Sequence, residues 1–96
     1  MKKLIFNALA QVEYVELNEY YQSVSSGVGE RFVRAVDRTL DRIRRFPQAN
    51  PRLIASFRGA VISRFPIAIV YTVHRQFIRI VSFHHLRRGH FQWLSP

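Results

Sequence analysis

Hydrophobic residues recur at a helical spacing through the first half of the chain and alternate through the second. Leu4-Ile5-Phe6 reads as a short apolar strand, Asn7 as the N-cap of a helix, and no Gly or Pro interrupts Ala8 to Val24. Tyr14, Leu17, Tyr21 and Val24 recur three and four apart, which predicts one helix with an apolar stripe and with Glu13, Glu16 and Glu19 on its other face. Ser25-Ser26-Gly27-Val28-Gly29 reads as a break, and Glu30 to Phe46 as a second helix stopped by Pro47. At about 100° per residue, Phe32, Val36, Leu40 and Ile43 share one side of it, opposite a ridge of Arg31, Arg34, Arg38, Arg42 and Arg45. Asp37 and Asp41 lie within (i, i+3) or (i, i+4) reach of Arg34, Arg38, Arg42 and Arg45, so the ridge reads first as a solvated face stitched by ion pairs. Two helices so joined should fold back as a hairpin.

Pro47 to Pro51 is a connector without periodicity, and from Phe57 the period becomes two. Arg58, Ala60, Ile62 and Arg64 share one face of a second strand, with an arginine at each end. Pro66 opens a third strand, in which Ile67, Ile69, Tyr71 and Val73 alternate with Ala68, Val70 and Thr72 and both faces are apolar. Arg75-Gln76 turns into a fourth strand, Phe77 to Phe83. The order β-α-α-β-β-β predicts an α+β fold, one domain over residues 1–96, with a helical hairpin on one face of a small, largely antiparallel four-stranded sheet. The other face, with Arg58 and Arg64, is expected to be concave and basic.

Ninety-six residues at 48% hydrophobic content suffice for one core of two layers but leave no room for a large catalytic cavity. The net charge of +9 is unevenly placed: residues 1–41 hold all six acids, and residues 42–96 hold ten arginines and no acid. Thirteen of the fifteen cations are arginine, whose planar fork grips phosphates and carboxylates, so a polyanion or an acidic protein is the expected partner. The absence of cysteine excludes disulfides and thiolate chemistry. The start imitates a signal peptide, but its apolar run, Leu4 to Ala10, is short and broken by Asn7, so secretion is not expected. No run approaches the ~20 apolar residues of a membrane span.

Few residues are available for chemistry. His84 and His85, adjacent on a strand, point to opposite faces, and no Cys, Asp or Glu comes after Asp41 to join them with His90 in a metal shell. No metal or cofactor is therefore expected. Gly27-Val28-Gly29 comes after a helix and lacks the third glycine of a nucleotide loop, and a Ser-His-Asp triad has no acid in the second half. What remains is His84-His85-Leu86-Arg87-Arg88-Gly89-His90-Phe91-Gln92-Trp93. Arginines for phosphate, histidines for protons and aromatics for stacking are the inventory of a metal-free ribonuclease, and equally of a surface that binds an acidic protein. One of His84 and His85 is expected to be a hydrogen-bonded sheet residue, and Trp93 to pack on the sheet.

Five segments carry a resemblance over nearly the whole chain: Glu19-Tyr20-Tyr21, Gly27-Val28-Gly29-Glu30-Arg31-Phe32, Ile43-Arg44-Arg45-Phe46-Pro47, Arg64-Phe65-Pro66 with Tyr71, and His85-x-Arg87-Arg88 with Trp93. In this order and spacing they resemble the ParE branch of the ParE/RelE superfamily, the small toxins of type II toxin–antitoxin operons, also called plasmid stabilisation proteins. The resemblance implies a βααβββ fold and a cytoplasmic toxin that poisons DNA gyrase by binding it. It also implies neutralisation by a small acidic or amphipathic ParD-like antitoxin. Arg58, Arg64, His85, Arg87, Arg88 and Trp93 are then expected to meet the target, and Leu17, Tyr20, Tyr21, Arg31, Arg34 and Arg38 the antitoxin. RelE-type relatives cut mRNA on the ribosome, and the alternative reading is such an endonuclease, with His84, His85 or His90 as acid or base and Arg87 or Arg88 on the phosphate. Against it, no lysine comes after Lys3, and the position of those enzymes' central-strand arginine falls on Ala68. A third reading is a plain basic nucleic-acid-binding module without toxicity.

Overall fold

The computed structural model describes residues 1–87 and 92–94. β1 (Lys3–Phe6) leads into α1 (Ala8–Val24) and α2 (Ser26–Arg45), and then come β2 (Arg52–Ile54), β3 (Phe57–Val61), β4 (Ile67–Val73), β5 (Phe77–His85) and a 3-10 turn, Gln92–Leu94. The strands form one sheet in the order β1-β5-β4-β3-β2, parallel between β1 and β5 and antiparallel elsewhere. The helical hairpin covers one face, and its core unites Phe32, Val36 and Ile43 of α2 with Ile69 and Tyr71 of β4 and Ile78 and Ile80 of β5. The α+β class, the helical hairpin and the largely antiparallel sheet stand as expected.

Among the described residues the sheet has five strands, not four. β2 pairs only with β3, at the sheet edge, and all three of its residues are exposed, so no apolar alternation marks it. The break between the helices is also much shorter than expected. Ser25 alone separates them, donating its N–H to Tyr21 O at 3.3 Å and accepting at Oγ from Val28 N–H at 3.0 Å, so one residue caps both helices. Gly27 and Gly29 belong to the first turns of α2, and at Gly29 a Cβ would run into the Gln22 amide of α1. The glycine permits close helix contact there.

Several side chains depart from the expected pattern. Asn7 is the N-cap by backbone conformation, but its side chain makes no cap bond; Oδ1 accepts instead from Arg79 Nη1 at 2.9 Å. Val24, at the last position of α1, is exposed. Glu13 does not face solvent: Oε1 accepts from Ser82 Oγ at 2.7 Å and from Phe83 N–H at 2.9 Å. β1 pairs with β5 only as far as Ile80, so Glu13 serves the edge of β5 beyond the end of β1. Among the described residues the arginine ridge holds only two ion pairs, Asp41–Arg45 at 2.9 Å and a looser Glu30–Arg34 at 3.9 Å. Asp37 pairs with none of the ridge.

Tyr71 ties the core to the α2–β2 connector, donating to Pro47 O at 2.8 Å and accepting from Asn50 Nδ2 at 3.1 Å. Its phenol titrates above its ordinary value of 10.0 because burial penalises the anion, against smaller downward pulls from Asn50 and Arg58. A raised phenol contributes stability that is full below its unfolded value and lost as pH rises through the folded one. Tyr71→Phe should therefore cost about 1–2 kcal/mol at neutral pH, measured by urea unfolding, and the gap to the parent protein should narrow above about pH 10. An unchanged gap across that range would contradict this.

Candidate functional site

The site is assembled where α1 ends, β4 begins and β5 runs out. Continued pairing carries β5 to His85, with His84 opposite Ala68 and His85 opposite Ile67. Ile67 faces the helices, so His85 does too, and His84 is buried on the other side. The chain then turns, and Leu86 N–H donates to Pro66 O at 2.8 Å, holding the end of β5 against the start of β4. His85, Arg87 and Pro66 meet Leu17, Tyr20 and Tyr21 of α1 around a cavity of about 340 Å3. Three of the separated sequence motifs converge there.

Within it, Arg87 N–H donates to His85 Nδ1 at 3.2 Å, which assigns the ring proton to Nε2 and makes that atom a donor. Tyr20 and Tyr21 meet edge to face at 5.1 Å. Burial raises the Tyr21 phenol, the Tyr20 phenol adds to the rise, and the Arg87 guanidinium opposes both. The cavity thus offers N–H and O–H donors, one fixed cation and an apolar wall, with no carboxylate in its lining. It can grip an acidic or aromatic side chain. Among the described residues, His84 is not available to pair with His85 for proton transfer, because it lies across the sheet.

A second cavity of about 530 Å3 lies beyond Phe65, walled by Arg31, Arg34 and Arg38 of α2 and by Ser63 and Arg64 of the β3–β4 turn, with Val28 and Ala35 beneath. Phe65 is held edge-on against Tyr21 at 4.9 Å and Phe32 at 5.2 Å. Pairing stops at Val61, and Arg64 sits in the turn at φ 72, a left-handed conformation that costs a non-glycine residue about 1 kcal/mol. Its expected place at the end of a strand face is therefore corrected: the turn swings it towards α2.

The residues expected at the target surface are consequently dispersed. Arg58 shares the face of Tyr71, on the helix side, and its guanidinium donates to Asn50 O at 2.6 Å, Gln48 Oε1 at 2.7 Å and Gln48 O at 3.3 Å. It holds the connector in place. Trp93 packs on the opposite face with Phe57, Val70 and Val81, its ring 4.8 Å from that of Phe57, and is buried. That face therefore carries an apolar cluster where a basic concavity was expected, since neither Arg58 nor Arg64 points into it. Arg88 and His90 lie outside the described residues. Leu17, Tyr20 and Tyr21 fall in one cavity with His85 and Arg87, and Arg31, Arg34 and Arg38 in the other with Arg64, so the two expected surfaces interleave. Of the other residues that join the arginine groove, Phe65 was marked only as part of the Arg64-Phe65-Pro66 segment, and Ser63 carried no signal in the sequence.

No protein-family model and no curated protein matches the sequence. Solved structures do match. A chain of the chromosomal ParDE TA system from P. aeruginosa superposes with a TM-score of 0.66 at 16% identity, over 91% of this chain and 98% of that one. The YoeB dimer from Staphylococcus aureus provides another, at 0.58 and 19% identity over 85% and 93%. The chain therefore has a ParE/RelE-like fold, the one its own motifs implied.

Proposed function

We propose that this protein is the toxin of a type II toxin–antitoxin pair, a cytoplasmic growth inhibitor that acts by binding and is held inactive by a small acidic or amphipathic antitoxin. The observation that carries the reading is the convergence of Glu19-Tyr20-Tyr21, Phe65-Pro66 and His85-x-Arg87 at one end of a fold shared with a ParDE chain and with YoeB. DNA gyrase is the proposed target, met through His85 and Arg87. A binding mode suits the site better than mRNA cleavage. Ala68, where the RelE-type enzymes carry an arginine, is a buried methyl, and His84 and His85 are separated by the sheet.

The antitoxin is proposed to cover α1. Leu9, Val12, Val15, Tyr20 and Val24 of this helix are all exposed, an apolar surface that a second amphipathic helix can bury next to Leu17 and Tyr21. Induction of the chain should stop growth and elongate cells while bulk translation continues, and purified protein should inhibit gyrase supercoiling. Prompt translation arrest with codon-phased mRNA cuts would instead establish the endonuclease. Arg87→Ala removes the fixed cation of the cavity and should weaken target binding by about 30-fold, the effect of a 2 kcal/mol hot spot. Measured by titration of gyrase inhibition, a loss below threefold would exclude Arg87 from the contact.

A further inference from the structure

We infer that the groove between α2 and the β3–β4 turn binds the phosphodiester backbone of a nucleic acid, gripped by Arg31, Arg34, Arg38 and Arg64. All four side chains are exposed, all four line one concavity, and no carboxylate shares it. Among the described residues Arg31, Arg38 and Arg64 have no ion-pair partner, and Arg34 has only the long contact to Glu30. Like charges gathered around one groove repel each other in the free protein, and a polyanion reverses that term. The turn holds Arg64 in a left-handed backbone conformation unfavourable to a non-glycine residue, so the fold sets the point from which the fourth arginine reaches the groove.

The groove suits phosphates better than an acidic peptide. An extended peptide binds by adding a strand to a free sheet edge, and this wall is a helix face and a turn; the outer strands of the sheet are β1 and β2, elsewhere. A docking helix needs apolar surface. Here Ala35 is 3% exposed and Phe65 is engaged with Tyr21 and Phe32, whereas open apolar surface lies along α1. Successive arginines on α2, three and four residues apart, rise about 4.5 and 6 Å along the axis and present a row of forks, which is what a repeating phosphate track requires. The inference stands apart from the toxin reading, since it concerns a different groove and its test needs no toxicity.

The test is fluorescence anisotropy of the full chain with a short labelled DNA duplex and a single-stranded RNA of unselected sequence, between about 50 and 200 mM salt. Four neutralised phosphates give an expected slope of log K against log salt of about −3.6 for the duplex and about −2.8 for the single strand. The tighter of the two at equal salt identifies the form bound. Arg38→Ala with Arg64→Ala should bring the duplex slope to about −1.8, while Arg75→Ala, an exposed arginine on the β4–β5 turn, leaves it unchanged. Arg64→Gly is the safeguard for folding, because glycine accepts the left-handed conformation; it should lower the slope by about one. No binding at low salt, equal loss from Arg75→Ala, or tighter binding of a poly-glutamate peptide with the same arginine dependence would each overturn the inference.

Discussion

Phe32→Ala is expected to remove about 3–5 kcal/mol of stability, which for a domain of this size is most of what it has. Phe32 is fully buried and central to an aromatic cluster, with ring centroids 4.8 Å from Tyr21, 5.2 Å from Phe65 and 6.0 Å from Tyr14. Those three rings belong to α1 and to the β3–β4 turn, so the one side chain of α2 holds three pieces of chain together. Truncation leaves a cavity that the backbone cannot close without parting α1 from α2. The consequence extends to both candidate sites, because Phe65 lines the arginine groove and Tyr21 the histidine cavity. Urea unfolding at neutral pH measures the loss, and a change below about 1 kcal/mol would mean that the cluster is not the keystone described.

Glu13→Ala should cost about 2–3 kcal/mol, unusual for an acid on a small domain's helix. Glu13 accepts two hydrogen bonds from β5, one from the Phe83 backbone and one from the Ser82 hydroxyl. Alanine leaves the Phe83 N–H at the unpaired margin of β5, under α1, without its acceptor. Glu13→Gln keeps an acceptor oxygen but not the charge, and should retain roughly half of the contribution. Equal losses for Ala and Gln, in the same unfolding assay, would show that charge and not the acceptor is what matters. Glu16→Ala, on the exposed side of the same helix, is the comparison and should be nearly neutral.

How much of this was legible in the sequence depended on whether a contact is local. The two helices, β4 and the β4–β5 turn can be read from periodicity and from Pro and Gly, because burial of a stripe within one segment leaves a pattern in that segment. Arg52–Ile54 leaves none. Its strand character comes only from pairing with β3, and its side chains face water. Arg64 continued the alternation of Arg58, Ala60 and Ile62, and only the tertiary hairpin bond from Ile62 N–H to Ile67 O reveals that the strand has already ended. Glu13 was misplaced by its charge, although it stands four residues before Leu17 and three after Ala10, on the border of the buried face. Ser25-Ser26-Gly27 carried the composition of a loop and formed a double cap. The site itself was half legible: the motifs that carry His85, Arg87, Tyr20 and Tyr21 do meet, and Trp93 packs on the sheet as expected, while Arg58, read as a target-facing residue, holds the connector.

The pairing of residues 3–6 with residues 77–80 has a consequence for how the protein is made. Among the described strands, β1 emerges before all the others and β5, its one neighbour, after them. Until β5 leaves the exit tunnel, the helical hairpin lacks the strand that brings Ile78, Ile80 and Phe83 to its core, and His85 and Arg87 have not been placed beside Tyr20 and Tyr21. At ~5–20 residues per second, the chain spends several seconds as an unfinished hairpin whose apolar faces are open. The cavity of His85 and Arg87 is thus completed only once β5 is out, whereas the exposed apolar residues of α1 are open to a partner well before that.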